Sequence, residues 1–88
     1  MALPTPEQEY AFVKEEALEI MDEGAEATGT YLKDSYTAYM KLNMQFKQDE
    51  DNVILLLETN KAKVNYDNKK KAVKEVQAEK DSMDPAAA

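Results

Sequence analysis

The chain has 88 residues, a net charge of −7, and neither cysteine nor histidine. That length allows one small domain, 1–88, with a small core, because chains of this size bury only about 60 to 65 % of their unfolded surface. Disulfides and thiolate metal sites are excluded, the usual imidazole base is missing, and no apolar run approaches the roughly 18 residues of a membrane span.

Charge is spread unevenly. Residues 1–34 hold nine carboxylates and two lysines, a net −7; residues 35–60 come to −2; residues 61–88 hold seven lysines and five carboxylates, a net +2. The two ends are therefore electrostatically complementary. Every cation is a lysine, which argues against bidentate recognition of phosphates or base edges, so direct nucleic-acid binding is not expected.

Residues 1–5 read as a lead-in. Thr5, Pro6 and Gln8 then supply three helix-start signals together: a capping hydroxyl, a proline at the first helical position and the capping-box spacing. Tyr10, Val13, Ala17 and Ile20 continue at spacings of three and four, predicting a helix over about 6–27. Its outer face carries Glu15, Glu19, Asp22, Glu23 and Glu26, several of them three or four apart, where like charges oppose the helix. That face reads either as a solvated surface or as a docking face, for a basic partner or for the chain's own lysine-rich end.

Gly24 and Gly29 predict a bend, with the next element beginning after Thr28 or Thr30. The pair does not make a phosphate loop, since Thr30 and Tyr31 stand where such a loop needs lysine and then serine or threonine. From Tyr36 to Phe46 the sequence fits both a period-two strand and a helical wheel that gathers Tyr31, Tyr36, Tyr39, Met40, Met44 and Phe46. Helix is favoured, because neither glycine nor proline occurs between Gly29 and Pro85 to build tight hairpin turns. The three tyrosines are expected at the edge of the core, each ring packed and its hydroxyl reaching solvent. Asp49, Glu50 and Asp51 form a turn, with Asp51 or Asn52 capping the next helix. The residues after Asp49 miss the glycine and the terminal glutamate of a calcium loop.

Val53 to Leu57 is apolar all round a helix and is expected to be buried on every side. Beyond it, one helix over about 52–82 is the leading expectation. Its apolar stripe is thin, suited to one narrow seam or a coiled-coil arm. Residues 84–88 should fray after Pro85.

The expected fold class is mainly α, a helical hairpin or three-helix arrangement with a long C-terminal helix. The alternative is α+β: an N-terminal helix, an antiparallel β-meander over about 36–66 and a C-terminal helix. No catalytic, cofactor-binding or metal-binding grouping is legible, so the chain is expected to be no enzyme and to need no cofactor. The expected function is a non-enzymatic interaction or assembly subunit, cytoplasmic or otherwise intracellular, self-associating or docking on another protein, with no membrane contact. The expected interaction residues lie in 31–57: Tyr31, Tyr36, Tyr39, Met40, Met44, Phe46, Val53, Leu56 and Leu57. The alternative is an acidic decoy or inhibitor that presents the carboxylates of residues 7–26 to a basic protein surface.

Overall fold

The computed structural model describes residues 3–83 and contains three helices: α1 (Pro6–Glu23), α2 (Ala25–Gln48) and α3 (Val53–Met83). Thr5 caps α1 as its sequence predicts. The Gln8 amide donates to Thr5 Oγ1 at 3.2 Å, and the Thr5 amide donates back to Gln8 Oε1 at 2.9 Å. Asn52 caps α3 in the same way, its Oδ1 accepting from the Leu55 amide at 3.1 Å.

The first helix ends sooner than its periodicity suggests. Gly24 adopts φ 124°, a left-handed value that a side chain would strain, and its amide closes α1 on the Met21 carbonyl at 3.2 Å. Residues 25–27, expected in the first helix, belong instead to α2, which also absorbs Gly29 in its interior. One glycine is thus enough to reverse the chain, while the second is carried within the helix at a cost of about 0.5 to 1 kcal/mol.

There is no strand among the described residues, so the β-meander alternative over 36–66 is overturned. Residues 36–48 complete α2 and residues 53–66 begin α3. Without glycine or proline to turn a hairpin, the helical wheel takes precedence over the two-residue alternation.

Cross-helix contacts fix the topology. Tyr10 and Asp22 of α1 meet Lys71 and Lys80 of α3, so these helices run parallel. Tyr31 and Tyr36 of α2 meet Lys69 and Tyr66 of α3, so those run antiparallel. The result is an up-down-up bundle, 54 × 32 × 19 Å. α3, with 31 residues and about 46 Å of length, outruns the 18-residue α1 by roughly 20 Å. Because Asp22 near the end of α1 pairs with Lys80 near the end of α3, that shortfall falls entirely at the other end of the bundle. There α2 and α3 form a hairpin with no third helix over it.

This geometry corrects the burial expected for 53–57. Leu55 is half-buried, but Val53, Ile54 and Leu57 are 66 %, 69 % and 57 % exposed, because α2 covers only one side of the run. The fully buried positions are small: Ala17, Ala72 and Val76, joined by Ser35 and Thr59. Their hydroxyls are satisfied locally, Ser35 donating to the Tyr31 carbonyl at 3.1 Å and Thr59 to the Leu55 carbonyl at 2.7 Å. Small side chains at these sites let helix backbones approach closely and leave no slack for larger ones. The frayed tail expected at 84–88 lies outside the described residues.

Enlarging Ala17 or Ala72, both at zero exposure, should therefore overpack the bundle. Ala72→Leu is expected to lower the unfolding free energy by about 1 to 3 kcal/mol in urea titrations followed by circular dichroism. An unchanged midpoint would show that the helices can separate at that level without loss.

Candidate functional site

Two surfaces carry the residues expected to act, and the structure divides them differently from the sequence. The apolar set splits into parts. Tyr31, Tyr39 and Phe46 are half-buried on α2, within the bundle. Tyr36, Met40 and Met44, four residues apart, form a flank of α2, where the Tyr36 ring meets the Tyr66 ring edge-on at 5.3 Å and Met44 is left 60 % exposed. Val53, Leu56 and Leu57 sit at the open hairpin end.

Three residues absent from the expected set join the last group: Phe12, Ile54 and Val64, which are 65 %, 69 % and 53 % exposed. Phe12 and Val13 of α1 line a groove of about 660 Å3 with Leu57, Asn60 and Val64 of α3. The available signal was spacing: Val53, Leu57, Asn60 and Val64 recur at four, three and four residues, one side of a helix. Thr59 and Leu55, on the side facing α2, are the more buried.

The second surface is the acidic face of α1. Glu15, Glu19, Asp22, Glu23 and Glu26 are all exposed. Asp22 pairs with Lys80 at 2.9 Å, whereas the other four make no salt bridge among the described residues. The lysines of α3 are met instead by aromatic rings and by their own helix: Lys69 lies over Tyr31 at 4.6 Å, Lys71 over Tyr10 at 4.7 Å, and Lys71 reaches Glu75 at 4.0 Å. The charge pairing at the centre of the interface runs opposite to that expected. Lys14, the cation of the acidic helix, binds Glu79 at 2.6 Å and Glu75 at 3.7 Å on the lysine-rich one.

Two tyrosine hydroxyls, of Tyr10 and Tyr31, are shut off from solvent and lack a hydrogen-bond partner of good geometry. For Tyr31 this corrects the solvent-facing hydroxyl that its sequence position suggests, because the junction of three helices closes over it. Burial first, then the nearby Glu75 carboxylate, pushes the Tyr10 hydroxyl up to about 12, and burial with Glu16 raises Tyr31 as well. The Tyr10 hydroxyl, with Lys71 and Lys14, in turn lowers the Glu75 carboxyl against the raising effect of its surroundings. The Glu79 carboxylate, ahead of any desolvation, raises Lys14. This polar knot locks α1 to α3, and its members are occupied with one another.

No group of three or more acidic side chains is arranged to hold a metal ion among the described residues, and no described helix is long and apolar enough to cross a membrane. No protein-family model matches the sequence, and no curated protein or solved structure is detectably similar to it.

The raised Tyr10 value has a defined consequence. A phenol that ionises near 10 when unfolded and near 12 when folded holds its proton more tightly in the bundle. Its contribution to stability is complete below pH 10 and is lost as pH rises toward 12. Tyr10→Phe is expected to change stability at pH 7 little, since the buried hydroxyl that it deletes makes no well-formed hydrogen bond among the described residues and only lies near the Glu75 carboxylate. It should also flatten the fall in melting temperature between pH 10 and 12. A fall as steep as in the parent chain would place the alkaline sensitivity elsewhere.

Proposed function

We propose that the protein is a non-enzymatic interaction or assembly subunit that docks through the open hairpin end of the bundle. The observation that carries this reading is the exposure of Val53, Ile54 and Leu57 at the hairpin end, where α1 contributes only the wall of the groove that Phe12 and Val13 line. A single exposed leucine needs no explanation, but a contiguous apolar stripe continued by Val64 and Phe12 is what interaction surfaces present. Desolvating such side chains is the main favourable term in association. The polar knot of Tyr10, Lys14, Glu75 and Glu79 serves in this reading to hold α1 so that Phe12 flanks the stripe.

A second reading is favoured by the exposed carboxylates Glu15, Glu19, Glu23 and Glu26, which make no salt bridge among the described residues. In it the chain is an acidic decoy or inhibitor whose α1 presents them to a basic protein surface, with electrostatic steering supplying the rate of encounter.

Ile54→Lys with Leu57→Lys separates surface from core. The double variant is expected to keep its helical circular dichroism and its melting temperature at high dilution, while losing fluorescence enhancement of an apolar-surface dye. Burial of two lysines in a true core would instead cost several kcal/mol and unfold so small a bundle, which would sink the reading. Reversing charge at Glu15, Glu19, Glu23 and Glu26 should leave the dye signal intact; a decoy would lose its partner through that change alone.

A further inference from the structure

The occupant of the open end can be read from the charges that flank it. We infer that α3 pairs with α3 of a second copy of this chain, antiparallel, about a two-fold axis at Asn60. The inference rests on the interaction reading above and names its partner.

The outward stripe Val53, Leu57, Asn60, Val64 has the four-three-four spacing of a coiled-coil seam, and three of its members are apolar and more than half exposed. Asn60 is the one polar member and is also exposed. An asparagine at a single seam position is the device by which paired helices fix register, because its amide finds a partner in one alignment only. With the axis at Asn60 it meets its own counterpart, and Leu57 of each copy packs beside Val64 of the other.

Direction is set by charge. Acid precedes base along this stretch: Asp49, Glu50, Asp51 and Glu58 lie before Asn60, while five lysines and one carboxylate, Asp67, lie between Asn60 and Ala72. A parallel pair would set each acid against its own copy and each lysine likewise. Reversing one helix about Asn60 brings the acidic turn toward Lys70 of the second copy. Lys70 is exposed and makes no salt bridge among the described residues, whereas Lys71 is held by Tyr10 and Glu75 within its own bundle. The same reversal sends the two α1 helices toward opposite ends of the pair, so each α3 is covered by α1 over one part and by the second copy over the rest.

The apolar side chains of the stripe, with Phe12 and Ile54, are each more than half exposed, five large side chains toward the roughly 800 Å2 that a standard interface takes from each partner. A homodimer seam also explains why residues 53–57 are apolar all round: α2 takes one side and the second copy takes another.

Because the chain has no cysteine, a single introduced thiol reports one position. Sedimentation or light scattering over a concentration series should show a monomer–dimer equilibrium, weakened about tenfold or more by Leu57→Lys. Under oxidation, Asn60→Cys should give a disulfide-linked dimer. Val53→Cys should not, since its mates stand about 21 Å apart along an antiparallel pair, beyond disulfide reach. Linkage of Val53→Cys as readily as Asn60→Cys would establish a parallel pair and overturn the inference, as would a dimer in which Asn60→Cys fails to link. A monomer at every concentration overturns the second copy as occupant. In that event a dye signal that Leu57→Lys abolishes leaves the interaction reading standing, and no such signal removes it too.

Discussion

The bundle depends on the seam where α1 closes against α3. Ala17, Ala72 and Val76 are the positions that give up all or nearly all their exposure, and each is small. Helices that meet through such residues can come close, so that long polar side chains reach across from one helix to the next. Lys14 reaches Glu79, Asp22 meets Lys80, and Lys71 and Lys69 settle over the rings of Tyr10 and Tyr31 because the backbones permit it. A chain of this size cannot build a wide core; here a narrow apolar seam is flanked by a polar one that marks the relative height of the helices.

That height has a consequence at the opposite end. With the end of α1 tied to the start of α2 through Gly24 and lying beside the end of α3, as the Asp22–Lys80 contact marks, all of the length difference between α1 and α3 falls at the hairpin of α2 and α3. The most apolar stretch of the chain, Val53 to Leu57, is located there, with α2 on one side alone. Stability and surface are thus coupled: the contacts that hold the bundle together are the ones that leave its apolar end open. The proposed pairing with a second copy draws on that coupling, since it requires α1 to stop short of the stripe.

The acidic face plays a smaller part in the fold than its charge suggests. Four of its five carboxylates have no cationic partner among the described residues, and the lysines of α3 are engaged partly with rings and with Glu75. Long-range complementarity between the ends of the chain helps α1 and α3 to lie side by side, but Coulomb attraction between exposed groups in water is weak and short-ranged at cellular salt. The single-residue link at Gly24 and the burial of Ala17, Ala72 and Val76 set the register, and the contacts of Lys14 and Asp22 accompany it.

Local chemistry was legible in the sequence wherever it is written in neighbouring residues. Thr5 and Gln8 fixed where α1 begins, Asn52 capped α3, and the absence of glycine and proline between Gly29 and Pro85 favoured two long helices over the meander that the period-two alternation kept open. Gly24 announced a break, but which of two glycines would bend was decided by packing, because either can adopt the required φ and only Gly24 stands where α1 can fold back on α2. Burial was decided wholly by the tertiary structure. Apolar periodicity says that a face will seek cover, not which neighbour is long enough to supply it, and so Leu57 emerged on the surface while Tyr31 lost its hydroxyl to the interior. The stripe of Val53, Leu57, Asn60 and Val64 is present in the sequence as a spacing; that it faces outward depends on α1 being some 20 Å shorter than α3 and aligned with its far end.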